Sequence, residues 1–544
     1  MSATLRHPFL GLIRGHRLPS SDLVQYSGIP YASISQRFAR STTLLDFPST
    51  SPPEPFDATR AGPECIQPDN ATKLDADCNQ FPHAGFQEQP QSEHCLYLNI
   101  TTPVASQDSS QPLPVVVFLH GGAFFLGSST RPYYTPVNFL AHALRTDRLH
   151  VFISVNYRLG ALGFLHSPEA GSLISPNNGL HDQVRAFEWI HRNVSGFNGD
   201  PERITAIGQS AGAESLSLHA ISSNPTALFK QMVALSGSPV TMPCKTPSQH
   251  QGNFLSLALK LGIQDIEQKS SAEIAQEFIH APISKIRDLA FVGAPCSSSE
   301  TLPYNHPTMS LVDSRPTSSV TWIERAIYSS ATFDGGISYN ILVKSRNDIA
   351  KTFIQTAQES MTTAGATELL GLYGINDSDS DTDALEKICQ FESDIGFFSA
   401  SLAQVQGSSA RKKYLQIFDL KNPFDEGGAL PKNKFATHTW DIVALLGCYD
   451  DLMDKKQVQV IQHWRSRLLD FVYEKDDGIW AEWDEQKGTA LKVTAEGLHM
   501  QGKREYMGED GGRRKKLLKI AEREKGSEGR DFLWEGVCRK WLDG

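Results

Sequence analysis

Near-continuous apolar runs of strand length occur at Val115–Leu119, Val151–Val155, Ile204–Ile207 and Met232–Leu235. Runs with no polar face predict strands buried on both sides of a sheet. Between them the period changes. Within Gly179–Val194, the residues Val184, Phe187, Ile190 and Val194 lie three or four apart, one apolar stripe on a helix. Ala211–Ile221 is also compatible with a helix, and Leu96, Leu98 and Ile100 alternate with Tyr97 and Asn99 as in a half-buried strand. Strand character returns at Ala326–Phe333 and Tyr414–Phe418. Strands alternating with helices predict an α/β fold with a mostly parallel central sheet and helices on both faces.

The remaining stretches lack a clean period. Gly28–Ala32, GIPYA, reads as a strand end and turn. Ser49–Gln91, rich in Pro, Asn, Asp and Gln, is expected to be a long surface loop, and Ser106–Gln111 a polar spacer. Pro243–Val320 reads as a helical and loop insertion, and Ile337–Asp394 as helical. Residues 1–500 are expected to form one domain with its insertions, and 501–544 a charged, helical, partly docked C-terminal segment. There Phe532, Leu533, Trp534, Val537, Trp541 and Leu542 suit docking, while the basic run Arg513–Lys519 reads as a solvated helix face or mobile linker.

Composition narrows the function. With 40% hydrophobic and 21% charged residues among 544, the chain is of globular type. A net charge of −10 argues against general nucleic-acid binding. No apolar run approaches the roughly 20 residues that span a bilayer. Met1–Arg14 has no uninterrupted apolar core with a cleavage site, so a cytoplasmic, non-secreted protein is expected. The sequons at Asn70, Asn99, Asn193 and Asn376 are then chance matches. Eight cysteines without a CxxC predict neither a disulfide scaffold nor a zinc site, and no metal is expected.

The chemistry starts at Ile207–Ser215, IGQSAGAES. Its GxSxG set follows an apolar strand and opens a helix, the context in which a serine is held on a strained turn with its hydroxyl exposed. Ser210 is the candidate nucleophile.

SEHCLYLNI at Ser92–Ile100, GIPYA, HGGAF, NYRLGALGFL, NNGLHDQ, FNGD and GQSAG occur in one order over most of residues 20–475. In this the chain resembles the type B carboxylesterase family, which includes the cholinesterases. The resemblance implies an α/β-hydrolase fold with insertions over the catalytic face. It also implies a cofactor-free serine hydrolase that cleaves small carboxylic esters through an acyl-enzyme. It assigns His438, in FATHTWD, as general base and acid; Asp441, three residues on at the start of a helix, competes by proximity as the orienting acid but reads rather as a cap or a surface hydrogen bond. Asp334, in SATFDGGIS, becomes the acid that orients His438, and Gly122, Ala123 and Ala211 the backbone donors of an oxyanion hole. Ala123, where many relatives have Gly, is expected to keep its donor if φ is compatible, and His120 to be structural. Phe124, Phe125, Leu126 and Gln209 are expected to line the substrate pocket. Cys65 and Cys95 are implied to close a disulfide loop, which a cytosolic location would keep reduced.

Two departures from the family stand out. Gln209 replaces the usual Glu before the nucleophile. The Ile66–His94 loop holds Phe81 and Phe86 but no Trp, so choline esters are not expected. Transesterification, lactonisation or elimination at the same site is the alternative chemistry, and a catalytically silent recognition protein the alternative class.

Overall fold

The structure is a computed structural model that describes residues 2–19, 21–47, 54–104, 111–222, 226–289, 294–302, 307–314 and 321–544. All of the Ser106–Gln111 spacer except Gln111 lies outside the described residues, as do the start of the Ser49 stretch and parts of the Pro243–Val320 insertion.

The sheet strands are β1 (Ser2–His7), β2 (Gly11–Arg17), β3 (Leu23–Pro30), β4 (Tyr97–Pro103), β5 (Leu113–Leu119) and β6 (Val151–Val155). They continue as β7 (Gly199–Gln209), β8 (Gln231–Leu235), β9 (Arg325–Ala331), β10 (Lys412–Phe418), β11 (Ala490–Thr494) and β12 (Gly497–Gln501). The spatial order is β1-β2-β3-β4-β6-β5-β7-β8-β9-β10-β11-β12, with the short strand Phe56–Asp57 beside β2. From β6 to β11 every pairing is parallel, and antiparallel strands finish both edges. The hairpin β11–β12 is an edge that the hydrophobic pattern does not predict.

The two-sided burial of the central strands is literal. Val115, Val117, Leu119, Ala206 and Met232 enter one apolar core, and Val116, Phe118, Ile207 and Val233 enter the other. Period-two alternation thus feeds both faces at once. Helices α1 (Asn178–Asn193) and α2 (Ala211–Ile221) cover the first face through Leu180, Phe187, Ile190, Ala213 and Leu216. Helix α3 (Lys455–Val472) covers the second through Ile461, Trp464, Leu468 and Leu469. Among the described residues no helix is long and apolar enough to cross a membrane.

A third core lies outside the sheet. Phe353, Leu369, Leu385 and Ile388 of the inserted helices bury with Leu517, Ile520, Leu533, Trp534 and Trp541 of the C-terminal segment. Nor is the basic run a solvated face throughout. Arg513 and Arg514 each donate through Nε to the buried Asp394, at 2.6 and 3.1 Å.

The described part of Ser49–Gln91 is a surface loop only in part, as at 82–90. It carries a helix, Ala71–Asn79, and buries Glu64, Asp75 and Phe81. The cause is Arg131, whose buried guanidinium donates to Glu64 (2.8 Å) and Asp75 (3.3 Å). A charge so enclosed must be paired, and its partners lie too far away in sequence for a local pattern to reveal.

Candidate active site

Ser210, Asp334 and the loop after Leu119 all follow the C-terminal ends of parallel strands, where open α/β sheets leave their crevice. Ser210 ends β7 and precedes α2 with φ 56° and ψ −125°. Such a conformation costs a non-glycine residue ~1–3 kcal/mol and must be imposed by its surroundings. Here the Ser210 N–H donates to Leu235 O at 2.9 Å, and α2 lies so close to β5 that a Cβ on Gly212 would stand 2.1 Å from Leu119 O.

The HGGA loop reaches the same point. A Cβ on Gly121 would lie 2.9 Å from Ser210 Cβ. Phe125 and Leu126 donate back to Gly122 O at 2.9 and 2.8 Å and close a tight turn. Among the described residues, nothing accepts the backbone N–H of Gly122, Ala123 or Ala211. Backbone N–H groups left without an acceptor are the kind of donor an oxyanion uses. Ala123 has φ 52°, however, a left-handed conformation that costs an L-residue about 1–2 kcal/mol. Glycine would adopt this φ without that cost.

The histidine and the acid arrive on two loops joined edge to edge. Phe333 N donates to Ala436 O at 3.1 Å, and Phe333 pairs with Thr437 as an isolated bridge. This sets His438 Nδ1 2.8 Å from Asp334 Oδ1, with both side chains buried. The other Asp334 oxygen accepts Ala331 N–H at 2.7 Å. With its Nδ1 proton on Asp334, the imidazole presents Nε2 as an acceptor. The Gln209 amide takes that position at 3.2 Å, and among the described residues Ser210 Oγ has no hydrogen bond.

Asp441 departs from expectation. It is fully buried, accepts Ser236 Oγ–H at 3.1 Å and Ile442 N–H at 2.8 Å, and has no surface role. Burial, and next the charge of Asp334, push its carboxyl up to about 7. Glu392 also climbs to about 7 through burial, with one oxygen on Ser338 Oγ–H at 2.8 Å. Glu392 does not stand out in sequence.

His120 stacks on Tyr157 with ring centroids 4.5 Å apart, and burial drives its imidazole down to about 3. Phe124 is fully buried against Phe164, whereas Phe125 and Leu126 are half-buried. Phe81 is buried beside Tyr133 and Trp440, and Phe86 also approaches Tyr133. One residue that motif reading misses is Phe397, whose ring meets that of His438 at 5.3 Å and 60°. Cys65 and Cys95 are buried free thiols, and the neighbouring Cys65 together with burial pushes the Cys95 thiol well above its ordinary range. Among the described residues no cluster of His, Cys, Asp or Glu is arranged for a metal ion.

The chain is 35% identical to a para-nitrobenzyl esterase of Bacillus subtilis (strain 168) over 248 residues, 44% of this chain and 45% of that protein. It is 36% identical to a cholinesterase of Mus musculus over 262 residues, 46% and 39% of the two. The chain thus spans less than half the length of these curated relatives. A solved PNB esterase superposes with a TM-score of 0.71 at 22% identity, covering 95% of this chain and all of that one, which establishes the α/β-hydrolase fold. The carboxylesterase family model matches residues 2–507. This protein belongs to the carboxylesterase family.

Proposed function

We propose that this protein is a serine hydrolase that cleaves small carboxylic esters through an acyl-enzyme. The observation that carries the reading is the buried pair His438 Nδ1–Asp334 Oδ1 at 2.8 Å, with Nε2 turned toward the Gln209–Ser210 elbow. Ser210 Oγ attacks the ester carbonyl and gives its proton to Nε2. The tetrahedral oxyanion takes the N–H groups of Gly122, Ala123 and Ala211, each worth ~2.7–4 kcal/mol in the transition state. His438 then protonates the leaving alcohol, and water repeats the sequence on the acyl-enzyme. For this the Gln209 amide must give up Nε2 to the serine.

A panel of p-nitrobenzyl and p-nitrophenyl esters tests the proposal. Release of both acid and alcohol is expected, and turnover of none would overturn it in favour of a silent recognition protein. Adding a second alcohol shows whether acyl transfer competes with water.

Gln209→Glu is expected to move the acidic limb of the pH–rate profile upward by about one pH unit, because an adjacent carboxylate favours imidazolium. Loss of the protonated, inactive form then requires a higher pH. An unmoved limb would place Gln209 outside the electrostatics of the base.

Two buried free thiols close enough to act on one another's ionisation support a Cys65–Cys95 bridge under oxidising conditions. After mild oxidation these two are expected to escape thiol blocking in the denatured chain. Blocking of all eight cysteines would rule the bridge out.

A further inference from the structure

The family match ends at residue 507, yet residues 508–544 bury their apolar side chains against the inserted helices. One group of their polar and aromatic contacts falls on a single turn, the π-helix Ser393–Phe398. Asp394, 1% exposed, holds Arg513 and Arg514 and accepts Tyr373 Oη–H at 3.0 Å. The Arg514 guanidinium also lies 4.1 Å over the Phe398 ring. Two residues beyond Asp394, a Cβ on Gly396 would stand 2.3 Å from the Trp534 ring, so the indole rests directly on the backbone of this turn. Trp534 Nε1–H is tied in turn to Val240 O at 2.8 Å, in the loop that follows β8. The next residue, Phe397, is the one that meets His438.

A π-helix widens the turn by one residue and weakens its own ladder, so its shape depends on what holds it from outside. Here Tyr373 and the Gly335 N–H, which donates to Ser393 Oγ, hold part of it, and the charged and aromatic holders belong to the C-terminal segment. On one side of the turn are a buried carboxylate with two arginines and an indole on a glycine; on the other is the catalytic histidine. We propose that Trp534 and the Asp394–Arg513–Arg514 cluster are positioning residues that fix Phe397 against His438, making the C-terminal segment part of the catalytic apparatus. The proposal rests on the esterase reading above and assigns these residues no contact with substrate.

The test uses the full chain and a double-mutant cycle, with kcat expressed per site titrated by a serine-directed phosphonate. Trp534→Ala is expected to lower kcat per titrated site about 10- to 100-fold, the scale of an ångström-level misplacement at a reacting group, with little change in KM. Phe397→Ala should do the same, and the double variant should fall no further than the worse single one, because both act through one contact. Trp534→Phe, which keeps an aromatic ring on Gly396, is expected to restore most of the rate. An unchanged kcat per site in Trp534→Ala, or strictly additive losses, would overturn the proposal. If Trp534→Ala does not accumulate, Arg513→Gln, which removes one of the two arginines on Asp394, is judged by the same criteria. A wild-type protein that takes up no phosphonate would instead overturn the esterase reading itself.

Discussion

Replacing Ser210 with alanine is expected to lower kcat for ester hydrolysis by about a million-fold, the scale found when a triad nucleophile is removed. The substitution deletes one oxygen and leaves the backbone donors in place, so ester binding should persist with KM changed little. The residual rate, roughly 10³–10⁴ above that of water, is what an oxyanion hole and binding provide without a nucleophile. Folding should not confound the result. Alanine and serine pay a similar penalty at φ 56°, and among the described residues Ser210 Oγ makes no hydrogen bond that the fold would miss. Steady-state rates on a p-nitrophenyl ester, with circular dichroism to confirm the fold, give the measurement. Activity within tenfold of wild type would remove Ser210 from the mechanism.

Asp334→Asn carries the second-largest effect, a fall in kcat of about 10⁴-fold. Both carboxylate oxygens are committed, Oδ1 to His438 Nδ1 and Oδ2 to Ala331 N–H. An amide of the same shape keeps the backbone bond through its carbonyl oxygen, which leaves its NH2 facing Nδ1. Nδ1 must then accept, the ring proton moves to Nε2, and the lone pair that should receive the Ser210 proton is lost. KM should change far less than kcat. Asp441→Asn separates the two acids, since Asp441 bonds Ser236 and the backbone rather than the imidazole. Its effect is expected to stay below a hundredfold. Equal losses from both substitutions would reassign the acid.

What could be read without coordinates was local. Val115–Leu119 and Met232–Leu235 are apolar on every position because both faces of their strands meet a core, and the sequence records that directly. The Ser210 elbow is legible for a similar reason, since Gly208 and Gly212 mark where strand and helix crowd together. The residues that escaped depend on distant partners. Asp441 reads as a cap three positions after a histidine, but the turn of its helix sets it beneath Ser236, far off in sequence and adjacent in space. Residues 64–81 look like loop because the cation that buries Glu64 and Asp75 is Arg131, on the far side of β4 and β5. Arg513 and Arg514 look solvated until Asp394 is seen between them. Phe397 sits in a π-helical turn, whose irregular step no 3.6-residue period exposes.

The mechanism requires that Ser210 be acylated in turnover. Incubating the protein with a serine-directed p-nitrophenyl phosphonate and mapping the adduct by peptide mass spectrometry reports on this step. The predicted result is one equivalent of p-nitrophenol released per chain, with the phosphonyl group on Ser210 and ester hydrolysis lost in proportion. An adduct on any other residue, or full hydrolytic activity with Ser210 unmodified by excess reagent, would contradict it.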